Sequence, residues 1–197
     1  MPHHLAITRG DALLIVDVQN DFLPGGSLAV PNGDAIIAPL NAAIRQFSEQ
    51  GLPVIATRDW HPAAHSSFKT QGGIWPPHCI ADTHGANFAA GLQLPADTFI
   101  LSKASDPTRD AYSGFDHTSL ESVLHQKEIK RLFVGGLATD YCVLQTVIDA
   151  RRLGFEVVLL GEAMRAVAQQ DSDEKTAINA MLAAGARLLE PIQSGPA

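Results

Sequence analysis

The chain has 197 residues, 46% of them hydrophobic, with 14 Lys and Arg against 21 Asp and Glu and a formal charge of −7. That length and apolar content suffice for a full core, and an acidic balance with no basic cluster excludes a nucleic-acid or anionic-membrane partner in favour of a small molecule. No apolar run approaches the roughly 18 residues of a membrane-spanning helix, and no charged segment followed by a long apolar one opens the chain, so a cytoplasmic location is expected.

Strands and helical segments alternate along the chain. Ala12 to Val18 is nearly all apolar, as in a strand covered on both faces of a parallel sheet. Asp34 to Gln50 reads as a helix stopped by Gly51, and Pro53 to Thr57 as the second strand. Trp60 to Ala96 breaks the alternation: it is rich in His, Pro and Gly and without periodicity, and such a long irregular segment within a compact domain is usually functional. Thr98 to Leu101 is the third strand. Thr118 and Glu121 then have capping-box spacing at the head of a helix through Leu124. Ile129 to Val134 is the fourth strand, and Thr139 to Leu153 carries Val143, Leu144, Val147 and Ile148 on one helical face before Gly154. Phe155 to Leu160, a helix headed by Asp171 and Glu174 and ending at Gly185, and Ala186 to Leu189 complete the pattern. This β-α repetition predicts one α/β domain over residues 1–197, a three-layer α/β/α arrangement around a mostly parallel, roughly six-stranded sheet. No Gly-x-Gly-x-x-Gly or Walker motif makes it a nucleotide binder.

Open parallel sheets bind ligands beyond the carboxyl ends of their strands, which directs attention to the residues there. Cys142 follows the fourth strand at the start of a helix, where unpaired N–H groups and the helix dipole favour a thiolate and predict a lowered pKa. A small residue packing helix on sheet is the other reading. Asp17 ends the first strand, either as a cap or salt-bridge partner or as a general base. Lys103 ends the third, either with its stem along the sheet edge or as a charge partner. Asp59 and His61, two apart in extended chain, can present an oxygen and a nitrogen to one point, with His65 and His78 as candidates to complete a metal site. Without thiolate ligands such a set suits Zn, Fe or Mn alike. With only Cys79 and Cys142 in the chain, free thiols are expected, one Cys79–Cys142 bridge being the alternative.

Together, Asp17-Val18-Gln19-Asn20-Asp21-Phe22, Asp59-Trp60-His61-Pro62, Trp75-Pro76-Pro77-His78-Cys79, Lys103 and Gly136-Leu137-Ala138-Thr139-Asp140-Tyr141-Cys142-Val143 resemble the nicotinamidase/pyrazinamidase group of the isochorismatase-like hydrolases. The resemblance implies a six-stranded parallel sheet and a triad of Cys142, Asp17 and Lys103. It implies one divalent transition-metal ion held by Asp59, His61 and His78, with His65 as a further ligand or a support behind them. It also implies a cis peptide near Ala138-Thr139 that aims the Ala138 and Cys142 N–H groups at an oxyanion. Phe22 and Trp75 would pack on a substrate ring, Tyr112 would close the pocket, and Cys79 would be structural. The implied activity is hydrolysis of a small aromatic amide, nicotinamide or pyrazinamide, through a thioester, in NAD salvage; a homo-oligomer is left open. The alternatives are a cysteine amidase for carbamoyl or ureido substrates, a group that often lacks the Asp-x-His and Pro-His-Cys blocks, and a silent binding domain, which would need a degenerate triad position. Isochorismatases themselves lack the nucleophilic cysteine.

Overall fold

A computed structural model describes residues 6–189; both ends of the expected 1–197 domain lie outside the described residues. Six strands, β1 (Asp11–Val16), β2 (Val54–Asp59), β3 (Phe99–Lys103), β4 (Arg131–Leu137), β5 (Glu156–Arg165) and β6 (Arg187–Leu188), form one sheet in the order β3-β2-β1-β4-β5-β6. Every neighbouring pair runs parallel.

β1 is buried throughout because both of its faces are covered. Leu13 and Ile15 pack with Leu40, Ile44 and Phe47 of helix α1 (Ile37–Glu49). Ala12, Leu14 and Val16 point the other way, toward Leu120 and Leu124 of α2 (Leu120–Gln126), Val147 of α3 (Leu144–Arg152) and Met181 of α4 (Asp173–Ala183). That period-two split of one strand between two cores is the reason its sequence is continuously apolar. Among the described residues no α-helix joins β2 to β3, only a short 3-10 turn at Lys69–Gln71. The irregular segment takes that place on the α1 face, contributing Cys79, Ala86, Ala89 and Leu92 to its core. Among the described residues no helix is long and apolar enough to cross a membrane.

Several boundaries differ from the sequence expectations. β5 runs five residues past Leu160, with a register shift against β4 between Val134 and Gly136. α2 and α4 begin after Ser119 and Ser172, neither of which caps through its side chain; the Thr118 hydroxyl instead accepts from the Leu120 N–H at 3.1 Å and donates to the Gly114 carbonyl. The expected helix from Thr139 divides into a wide π-type turn, Thr139–Val143, followed by α3.

Candidate active site

The chain winds outward in one direction from β1 and in the other from β4, so the crevice at the carboxyl ends of these neighbours is the switch point of the sheet. Asp17 directly follows β1, and Ala138 to Cys142 directly follow β4. Gly136, at φ 131°, lets the two strand ends meet closely: a Cβ there would collide with the Val16 backbone. Lys103 and Asp59 end β3 and β2, where their register pairs them.

Lys103 Nζ joins these groups. It lies 2.5 Å from Asp59 Oδ1, 3.0 Å from the Ala111 carbonyl oxygen, 3.0 Å from Asp17 Oδ2 and 3.5 Å from Cys142 Sγ. Its side chain and that of Asp17 are fully buried. The Thr57 hydroxyl donates to Asp17 Oδ1 at 2.7 Å. Asp17 Oδ2 lies at ion-pair distance from the ammonium and accepts no well-directed hydrogen bond among the described residues. The oxygens of Asp17 and Asp59 and the Cys142 sulfur all lie within 4.8 Å of one another.

Burial works on each charge differently. It disfavours the Lys103 ammonium, but Asp17 and Asp59 outweigh it and hold that pKa well above the ordinary lysine range. It raises the Asp17 carboxyl, with the Lys103 charge pulling the other way. It also pushes the Cys142 thiol well above its usual range, with Lys103 opposing, which corrects the lowered pKa expected from sequence. The reason is positional. Cys142 is the fourth residue of the wide turn and is enclosed, rather than standing exposed at the first turn of α3. The resting sulfur therefore keeps its proton.

Asp59, His61 and His78 present ligand atoms within 4.8 Å of one another, all buried. His61 Nδ1 lies 3.1 Å from the His78 carbonyl oxygen, and His78 Nδ1 lies 2.8 Å from that of Pro76. A carbonyl only accepts, so each Nδ1 carries the hydrogen and each Nε2 keeps a lone pair for an ion. Burial, then the neighbouring His78 and His65 rings, push His61 down to about 3, which keeps it neutral. One carboxylate and two imidazoles therefore fit a divalent transition metal. His65 stands outside this set. Its Nδ1 is 2.7 Å from Ser67 Oγ and its Nε2 3.0 Å from the Arg109 carbonyl, and it groups instead with His61 and Asp110.

The Isochorismatase domain family model matches residues 11–192. The chain belongs to the isochorismatase family. Within it, the nicotinamidase of Escherichia coli is 41% identical over 198 residues, covering 90% of this chain and 93% of that protein. The crystal structure of the Pyrococcus horikoshii pyrazinamidase in complex with zinc superposes with a TM-score of 0.89 at 45% identity, covering 92% of this chain and 99% of that one. PnC1 from L. infantum in complex with nicotinate gives 0.86 at 39%, covering 94% and 96%.

In this isochorismatase-family chain, Cys142 and the Asp59, His61, His78 set open into one pocket of about 480 Å³, its mouth included. Phe22, Trp75, Tyr112 and Ala138, all expected from sequence, line it, and so do Leu28, Val30, Tyr141 and Val167, which were not expected. Trp75 Nε1 donates to the Tyr112 hydroxyl at 2.8 Å, and Trp75 meets Tyr141 edge-on with centroids 5.2 Å apart. Burial pushes Tyr112 up to about 12, so its hydroxyl stays protonated. Tyr141 stands beside the cysteine in the same motif, a signal that could have found it. Leu28, Val30 and Val167 carry no such signal. The cis peptide is Leu137-Ala138, one residue before the expected Ala138-Thr139 bond, at the end of β4. Cys79 is buried, free, and pushed far above the ordinary thiol range, chiefly by burial, which suits a structural residue.

Proposed function

We propose that this chain is a cysteine amidohydrolase that converts nicotinamide to nicotinate and ammonia, and pyrazinamide to pyrazinoate, through a thioester on Cys142. The observation that carries the reading is the joint approach of Lys103 Nζ to Asp17 Oδ2 and Cys142 Sγ, with the sulfur opening into a pocket that is also lined by two imidazoles with free Nε2 atoms. The activities by which its relatives are named support the substrate class.

Asp17 takes the Cys142 proton on Oδ2, and the sulfur attacks the carboxamide carbon. The Ala138 and Cys142 N–H groups receive the oxyanion. The Asp17 proton passes to the departing amide nitrogen, the C–N bond breaks, and ammonia leaves the acyl group on sulfur. Asp17 then takes a proton from water, whose oxygen attacks the thioester carbon, and the proton returns to sulfur as the acid departs. Through both halves Lys103 keeps its proton and balances Asp17 and Asp59, so that an anion can form in a buried site. Asp59, His61 and His78 would hold one divalent ion, Zn, Fe or Mn, with His65 supporting His61 from behind. When bound, that ion supplies a Lewis-acidic contact for a pyridine or pyrazine ring nitrogen. Phe22, Trp75 and Tyr112 enclose the ring and exclude water. The partner is this small amide, with no nucleic acid or membrane involved; the setting is NAD salvage in the cytoplasm, where two free buried thiols remain reduced.

The test is to incubate the purified chain with nicotinamide, pyrazinamide and benzamide and to measure ammonia and acid. The first two should give both products one for one. Benzamide lacks the ring nitrogen and should turn over about a hundredfold more slowly or worse, because a polar contact of the site is left unmade. Equal turnover of benzamide refutes the role given to the metal, and ammonia from carbamoyl compounds alone refutes the substrate.

A further inference from the structure

β1 pairs with β2 as far as Val16 opposite Thr57, and the Asp17 N–H still reaches the Thr57 carbonyl at 3.2 Å. Asp17 then takes a left-handed φ of 50° and the chain leaves the ladder. In a parallel pair, alternate residues turn their N–H and C=O groups to the same neighbour, so the next pair on β2 that faces the departed strand belongs to Asp59. A side chain meets it. Gln19 Nε2 donates to the Asp59 carbonyl at 2.7 Å, and the Asp59 N–H donates to Gln19 Oε1 at 2.8 Å. Gln19 Nε2 also donates to the Ala86 carbonyl at 2.9 Å, tying the irregular segment to the same point, and the residue is fully buried. A primary amide offers a donor and an acceptor in the geometry of a peptide group, so this one side chain substitutes for the missing stretch of strand. Glu keeps only the acceptors, and Leu neither.

We infer that Gln19 is a positioning residue that fixes the backbone of Asp59 and thereby sets how tightly the chain holds its metal ion. The inference rests on the metal reading above. Among the described residues the Gln19 side chain hydrogen-bonds to Asp59 and Ala86 and reaches the Cys142, Asp17 and Lys103 group only through Asp59, so its effect falls on metal retention far more than on the reactivity of the sulfur.

The experiment compares the parent with Gln19→Glu and Gln19→Leu. Three quantities are measured: the zinc dissociation constant by competition with a chromophoric chelator, the rate of Cys142 alkylation by iodoacetamide in metal-free protein, and thermal unfolding. Zinc affinity should fall about ten- to a hundredfold in Gln19→Leu and less in Gln19→Glu, the loss typical of a group that orients a ligand. Alkylation should stay within about twofold of the parent, and KM for nicotinamide should rise more than kcat falls. Unchanged zinc affinity in either folded variant overturns the inference while leaving the metal reading intact. So does a loss of affinity matched by an equal change in alkylation, which would be general loosening, and so does failure of both variants to fold, which would make the role structural. A parent that takes up no zinc, iron or manganese overturns the metal reading itself, and this inference with it.

Discussion

Lys103 Nζ lies 2.5 Å from Asp59 Oδ1, so the cation beside the Cys142 thiol is also bonded to a residue of the proposed metal set. The two halves of the site therefore share a charge. Two buried carboxylates, Asp17 and Asp59, face one buried ammonium, and neither half is electrostatically complete without Lys103.

Lys103→Met keeps the aliphatic stem and removes the charge. Two carboxylates are then buried without a cation, and breaking such a pairing costs about 3–5 kcal/mol. For a chain of this size that is a drop of about 6–20 °C in Tm by calorimetry, accompanied by loss of turnover. A Tm within about 2 °C of the parent would show that the ammonium is not balancing them.

The same lysine predicts an alkaline limb of stability. Folding raises its pKa above the ordinary 10.5, so at higher pH the unfolded chain gives up a proton that the folded chain keeps. The stabilisation is whole below 10.5 and declines as pH rises from there toward the folded value. Urea unfolding of parent and Lys103→Met from about pH 8 to 11.5 should give a difference that shrinks only above about 10.5, the unfolded pKa. A difference constant over the whole range contradicts the assignment.

Cys142→Ala should lower ammonia release from nicotinamide by about four orders of magnitude or more with the fold intact, as when an enzyme loses its nucleophile. Cys79→Ala should keep its activity within a few fold. Iodoacetamide labelling of Cys79 in place of Cys142, or equal losses in the two folded variants, would reverse the roles.

Thr57 donates to Asp17 Oδ1 and so leaves Oδ2 toward the thiol. Thr57→Val preserves the shape and deletes that hydrogen bond. A bond to a charged group contributes about 1.5–3 kcal/mol, which corresponds to a fall of about ten- to a hundredfold in kcat. Thr57→Ser should restore most of it, since the hydroxyl returns without the methyl. A Ser variant as poor as Val would mean that packing, not the hydrogen bond, is what matters.

Elemental analysis of protein purified without chelators should find about one transition-metal ion per chain. His78→Ala should lower that content and raise KM, while Cys142 alkylation in metal-free protein stays near the parental rate. Undiminished metal content in His78→Ala removes that histidine from the ligand set.

The β-α order, the strand buried on two faces and the irregular segment between Trp60 and Ala96 were legible in the sequence, because each depends on residues within a few turns or pleats of one another. The chemical inventory was legible too: Asp17 and Lys103 end apolar runs, Cys142 lies in the turn that follows one, and Asp59, His61 and His78 sit in short motifs that mark the family. Their assembly was not. Thr57 and Asp17 are 40 residues apart, Lys103 and Cys142 39, and Lys103 and Asp59 44, so their contacts depend on the strand order β3-β2-β1-β4, which no local period encodes. Enclosure by that sheet and its helices, rather than the residue types, keeps the Cys142 thiol protonated, because the cost of burying a charge depends on everything around it. For the same reason Gln19 looked like one more polar residue of a motif until the fold brought Asp59 beside its amide, where a departing strand had left two backbone groups to be paired.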